Sequence, residues 1–274
     1  MAFSLAIFLV LLIGFAVFYR SIPTPKPLYP LVKVREIENI LAKYFPYYQQ
    51  LLLPQKKEFL KRVMQFMQQK QFIPRGFKPV TLEMQAMIAA SAVQLTFGLP
   101  EVSLAHFKRI LIYADDYYST ITRKYHRGEV NPRLQAIVLS WKRFVEGYAD
   151  VPSGRNVGLH EMAHALELEN MIENEDYQFF PTEAQQCWKG LVPYYIEKIK
   201  RGEASFFRDY AATNAQEFFA VTVEYFFENT VEFERQHPEL FYTLATLLNQ
   251  NPLVNAIFLY PASSRAYFGS RLIT

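Results

Sequence analysis

The residues most capable of chemistry in this sequence are His160, Glu161 and His164, which spell H-E-x-x-H within Gly158-Leu-His-Glu-Met-Ala-His. On a helix, residues four apart stand one turn above each other, so the two imidazoles face a common point. A zinc ion accepts imidazole nitrogen at about 2.0–2.1 Å, and this spacing lets two rings share one ion. Glu161 sits about 100° round the same helix, displaced from the ligand direction but within reach of a metal-activated water. The chemistry on offer is metal-assisted hydrolysis with Glu161 as general base.

A catalytic zinc needs a third protein ligand and keeps one position open. No near-adjacent third histidine follows, because Leu168, Glu169 and Asn170 come next. The later histidine, His237, directly precedes Pro238 in an expected interhelix turn. Carboxylates remain, and Glu217 in Tyr210-Ala-Ala-Thr-Asn-Ala-Gln-Glu-Phe-Phe-Ala is the best placed. With Asn214 as N-cap, Glu217 would instead complete a capping box. Thr213 with Gln216 offers the same box one residue earlier and would free it. Glu224, seven residues on and on the same helical face, is an alternative ligand or a carboxylate supporting one. A purely structural zinc site is disfavoured, since no fourth ligand of Cys or His type is at hand.

These residues need helices to hold them. Val157, Met162, Ala163, Ala165, Leu166 and Leu168 supply apolar positions around the H-E-x-x-H segment. Upstream, Glu36 to Phe72 is expected to be helical with breaks near Pro46 and Pro54, and Thr81 to cap a helix that ends at Gly98. Lys57, Lys61 and Arg62 lie beside Phe59, Leu60, Val63, Met64 and Met67 in an amphipathic pattern. Arg109–Tyr113 and Leu134–Trp141 are rich in β-branched and aromatic residues and predict strands, with turns marked by Asp115, Asp116, Gly128 and Pro132. Leu134–Trp141 is either a strand at the cleft edge, able to pair with an extended substrate, or an ordinary buried strand. The expected fold class is α+β, mainly helical with a small sheet.

The run from Ala2 to Tyr19 contains no charged residue, and eighteen residues cover roughly 27 Å as a helix, just enough for a thin bilayer core. It lacks a basic n-region and a small-residue cleavage site, so it reads as one N-terminal transmembrane anchor over residues 1–20. Pro23, Pro25, Pro27 and Pro30 make residues 21–35 a stiff linker, leaving 36–274 as the catalytic domain, with a helical part (36–105) and a catalytic part (106–260). Arg20, Lys26, Lys33 and Arg35 follow the span, which places this domain on the cytoplasmic face of the inner membrane.

The overall charge is +3, but from Arg20 to Val80 there are 12 Lys/Arg against three acidic residues, and from Asp150 to Leu240 there are 7 against 17. The acidic half argues against nucleic acid as a direct partner. Cys187, the single cysteine, excludes an internal disulfide framework and is expected as a small buried hydrophobe.

The chain resembles the Mlc titration factor A family of zinc peptidases. The likeness runs from about Tyr44 to Pro252 and rests on Thr81-Leu-Glu-Met, Ile137-Val-Leu-Ser-Trp, Asn156-Val-Gly-Leu-His-Glu-Met-Ala-His and Tyr210-Ala-Ala-Thr-Asn-Ala-Gln-Glu-Phe-Phe-Ala. The resemblance implies a zincin-like core of gluzincin type, with His160, His164 and Glu217 as zinc ligands and Glu161 as base. It also implies Tyr210 as a transition-state donor, aminopeptidase-like action on small substrates, and binding of a transcriptional repressor. Two departures stand out: Glu167 occupies a position where family members commonly carry Asp, and the segment ELENMIENEDYQFF replaces a Gly-rich stretch. The expected function is peptide hydrolysis. The alternative is a membrane-tethered regulator that sequesters a repressor.

Overall fold

Proline positions decide how the first helical stretch divides. Helix α1 runs Leu31–Tyr44, α2 is the single turn Pro46–Gln50, and α3 is Leu53–Gln69. Pro46 and Pro54 each sit in a first turn, where a missing N–H costs nothing. The structure, a computed structural model, describes residues 30–77, 79–99, 102–119, 123–149, 155–172, 179–203, 206–254 and 256–257. The helix expected to continue to Phe72 stops at Gln69, and Gln71–Arg75 is strand β1. Pro74 falls in this strand because β1 lies at the sheet edge, where a ladder donor can be spared.

Helix α4, Leu82–Thr96, is capped by Thr81, whose Oγ1 accepts from Met84 N at 3.2 Å. Arg62 from α3 closes its other end. The side chain is buried rather than on the polar face the sequence suggested, and donates to the carbonyls of Thr96 at 2.8 Å and Phe97 at 2.9 Å. A guanidinium there satisfies orphan carbonyls and meets the negative end of the helix dipole.

Strands β2 (Arg109–Tyr113), β3 (Tyr117–Ser119), β4 (Lys124–His126), β5 (Gly128–Asn131) and β6 (Ala136–Ser140) follow. The main sheet has the order β1-β2-β6-β5, parallel except for β5, which pairs antiparallel with β6. All five residues of β6 are buried, so the segment offered as a cleft edge is an interior strand, and β5 is the edge beside the site. Gly128, read as a turn residue, belongs to β5 opposite Leu139. Strands β3 and β4 form a separate hairpin.

The remaining helices are α5 (Trp141–Ala149), α6 (Val157–Ile172), α7 (Thr182–Lys200), α8 (Ala215–Glu228), α9 (Thr230–Gln236) and α10 (Pro238–Leu248), with a 3-10 turn at Asp209–Ala212 before α8. The chain closes with the paired segments Gln250–Asn251 and Ala256–Ile257. Helix α6 is the centre of the molecule. It packs against β5 and β6 on one side and against α4, α5 and α8 on the others. Gly158 makes the α5 contact possible, because a Cβ there would lie 2.5 Å from the ring of Phe144. Each fully buried side chain of this core, such as Phe144, Leu166 or Phe218, contributes about 1.5–3 kcal/mol by leaving water. The fold is therefore α+β, mainly helical around a small mixed sheet.

Two buried charges brace the sheet's periphery. Lys70 Nζ donates to the carbonyl of Leu104, and Glu169 of α6 accepts from the backbone N of His106 at 3.1 Å. Cys187 is exposed, contrary to expectation, because α7 turns that face outward; its Sγ lies 3.4 Å from Thr243 Oγ1. Among the described residues no helix is long and apolar enough to cross a membrane. The anchor expected over residues 2–19, and Pro23, Pro25 and Pro27, lie outside the described residues.

Candidate metal centre

Asn156 immediately precedes helix α6, and its Oδ1 accepts from Leu159 N at 3.0 Å and so caps the first turn. One turn on, His160 and His164 face each other with their Nε2 atoms 3.1 Å apart. Helix α8 brings the third group. Its N-cap is Asn214, with Oδ1 accepting from Glu217 N at 2.8 Å, so the cap offered by Thr213 is not used. Thr213 instead donates to Tyr210 O at 2.8 Å. The Glu217 side chain does not turn back to the cap. Its Oε2 stands 3.1 Å from His160 Nε2 and 3.5 Å from His164 Nε2.

Three lone-pair atoms thus converge, all within 4.8 Å of one another, and Glu217 Oε2 is buried without a hydrogen-bond partner. Left alone, such an arrangement is unfavourable. In a tetrahedral site with bonds of about 2.0–2.1 Å, neighbouring donors stand about 3.3–3.4 Å apart. The observed separations bracket that edge length, so the donor set and its spacing suit a divalent metal ion.

The electrostatics agree. Burial disfavours charge on His160, but the carboxylates of Glu217 and Glu224 outweigh it and raise the ring's pKa to about 10. Burial also pushes the Glu217 carboxyl upward, yet the two imidazoles overcome this and hold it well below the usual carboxylate range. The cluster stabilises positive charge at the point where the three atoms meet.

Glu224 stands behind this group and not in it. Its Oε1 accepts from His160 Nδ1 at 2.8 Å, and its Oε2 accepts from Asn156 N at 2.6 Å. Arg208 holds the same carboxylate with both terminal nitrogens, one of them at 3.3 Å from Oε2. With Nδ1 donating to Glu224, it is Nε2 that faces Glu217 and His164, and a metal bound there would take the place of its proton. Arg208 escaped the sequence reading, since it has no spacing relation to H-E-x-x-H. The signal that could have found it is its place two residues before Tyr210.

Glu161 points to the sheet side of α6. It is buried, and burial is the main reason its carboxyl is pushed up to about 7. Gly128 of β5 makes room for it: a Cβ there would lie 2.6 Å from Glu161 Cδ and collide with Oε1. Tyr210, on the 3-10 turn, is half-exposed with its ring centroid 6.1 Å from that of His160. The guanidinium of Arg208 lies 5.9 Å over the Tyr210 ring. Burial and the nearby Glu217 carboxylate both raise the tyrosine pKa, so it remains a proton-bearing donor. His160, Glu161 and Tyr210 line one open cavity of about 1060 Å³. His237 stacks on Phe207 instead, with ring centroids 5.2 Å apart. Residues 173–178 of the segment after α6 lie outside the described residues.

Comparison with known proteins adds a family. Residues 32–248 match the model of the glucose-regulated metallo-peptidase M90 family. The chain is 28% identical over 241 residues to an uncharacterized protein of Synechocystis sp., covering 80% of this chain and 85% of the other. It is 29% identical over 211 residues to Mlc titration factor A of Escherichia fergusonii, covering 69% and 77%. For Mlc titration factor A of Yersinia pestis the identity is 28% over 222 residues, covering 73% and 79%.

Proposed function

Because the chain belongs to the glucose-regulated metallo-peptidase M90 family, we propose that it is a zinc-dependent peptidase with a zincin-like core of gluzincin type. In this reading His160, His164 and Glu217 hold the ion. The observation that carries it is the buried Oε2 of Glu217, unpartnered and facing the Nε2 atoms of both histidines.

When bound, the zinc ion acidifies water and polarises a carbonyl. The protein's own groups do the rest. Glu161, dry and backed by Gly128, takes a proton during attack and returns it to the leaving amine. A base with a pKa near 7 is poised for both transfers. Tyr210 donates to the oxygen that gains charge as the carbonyl is attacked. Glu224 fixes the His160 ring, and Arg208 fixes Glu224. The outer edge of β5, unpaired among the described residues, can align an extended substrate backbone by strand addition. Aminopeptidase-like action on small peptides belongs to the same reading. We further propose that residues 2–19 tether this domain to the cytoplasmic face of the inner membrane, which membrane fractionation of the full chain tests.

A second reading follows from the name of two relatives, Mlc titration factor A. By it, the chain binds a transcriptional repressor such as Mlc. The two readings separate on purified full-length protein, with metal content, peptide hydrolysis and Mlc binding measured on the same samples. Wild-type protein carries one zinc per chain. Glu217→Ala loses the ion. Glu161→Gln keeps the ion and the fold but hydrolyses nothing. Full hydrolysis by Glu161→Gln would exclude the peptidase mechanism, and binding of Mlc by both variants would support the second reading.

A further inference from the structure

Four arginines, Arg127, Arg143, Arg155 and Arg208, line the cavity in front of His160 and Glu161. Two of them are already committed. Arg143 binds Asp116 through Nε and a terminal nitrogen, both at 2.8 Å, and Glu146 at 2.9 Å. Arg208 holds Glu224. Arg127 and Arg155 are exposed, and neither side chain makes a hydrogen bond or ion pair with a described residue. The acids of the same cavity do not offset them. Glu146 is paired with Arg143, Glu224 with His160 and Arg208, and Glu161 is buried beside Gly128. The accessible cavity wall therefore carries two arginines without a hydrogen bond or ion pair to a described residue, the Asp116 carboxylate near Arg127 being already bound by Arg143.

Both arginines are anchored to rigid parts of the site. The carbonyl of Arg127 accepts from Ser140 N at 2.8 Å, tying it to β6, and the next residue is Gly128 beneath Glu161. Arg155 immediately precedes Asn156, which caps α6 and donates to Glu224. Neither guanidinium is needed to hold the fold, and each is a fork suited to a carboxylate.

We propose that Arg127 and Arg155 select peptide substrates bearing a carboxylate at the cleft, either an Asp or Glu side chain or the chain's own terminal carboxylate. This rests on the peptidase reading for its consequence, but the selectivity is a binding property and can be measured without hydrolysis. An exposed guanidinium–carboxylate pair is worth a small factor, about two- to fivefold in affinity for each arginine at low salt, and salt weakens it.

The test uses full-length zinc-loaded Glu161→Gln protein and fluorescein-labelled peptides in matched sets. Within a set only one group changes: Glu against Gln at a given position, or a free against an amidated carboxy terminus. Fluorescence polarisation is expected to show tighter binding of the carboxylate members, in which the Glu/Gln and acid/amide pairs identify the source of the charge. The preference should shrink in Arg127→Gln and in Arg155→Gln, vanish in the double variant, and survive in Arg127→Lys/Arg155→Lys in weakened form. Equal affinity for carboxylate and amide members overturns the proposal, whatever wild-type protein hydrolyses. A carboxylate preference that persists while wild-type protein cleaves none of the peptides supports the proposal and removes the peptidase reading instead.

Discussion

Glu224 holds His160 from behind: its Oε1 lies 2.8 Å from Nδ1, and the carboxylate side chain is only 1% exposed. The pairing fixes both the ring's orientation and the nitrogen that faces Glu217. Glu224→Gln weakens the grip on the ring and leaves Arg208 with a neutral partner. Zinc affinity is expected to fall about 10–100-fold, read by competition with a chromogenic chelator. An unchanged affinity would show that Glu224 serves only to neutralise Arg208.

Gly128→Ala is the counterpart on the other side of the helix. The added methyl meets the buried Glu161 carboxylate and displaces it from its place against β5. Overpacking of this kind costs about 1–3 kcal/mol, and a base displaced by about 1 Å can lose on the order of 100-fold in rate. Zinc content should not change. Chemical denaturation and kinetics on the same sample read both effects, and wild-type kcat would contradict this packing.

Tyr210→Phe removes one donor and leaves the ligands intact. If the hydroxyl acts on charge developing during attack, kcat drops about 10²–10³-fold with KM little changed. A rise in KM at constant kcat would make Tyr210 a ground-state contact.

Lys70 gives a stability test remote from the metal. Burial lowers its pKa to about 8, with Glu169 opposing the shift. Between about pH 8 and its unfolded value near 10.5, the unfolded chain binds the extra proton, so stability rises with pH across this window. The cost of burying the charge is fully present below pH 8. The rise should reach about 1–3 kcal/mol in urea titrations and be absent from Lys70→Met. A flat profile would place the amine in contact with water, and a falling one would make Glu169 the dominant influence on it.

Much of the site was legible in the sequence because its logic is local. His160, Glu161 and His164 are related by a single helical turn, and Glu217 stands in the first turn of its own helix. The cap was left open between Thr213 and Asn214, since both are good acceptors, and the turn before α8 decides for Asn214. Strand β1 was hidden because Gln71–Arg75 contains a proline and follows an apolar helix without a break. Its identity comes from β2, through parallel pairing across a long connection. Gly128 looked like a turn for the same reason, as its role is set by Glu161 on another element. Arg208 and Arg62 are charges whose partners lie on distant segments, and periodicity carries no trace of such pairs.

Helix α6 has one further consequence. From Gly158 to Asn170 it presents no exposed residue, being packed by sheet and helices and opening only on the cavity at His160 and Glu161. A part enclosed in this way is a poor lever. Amide hydrogens along it should exchange with deuterium only when the whole molecule unfolds, whereas the short turn Asp209–Ala212 and the outer edge of β5 are free to exchange through local opening. Backbone motion that alters the site is therefore expected at those margins, and not in the helix bearing His160 and His164.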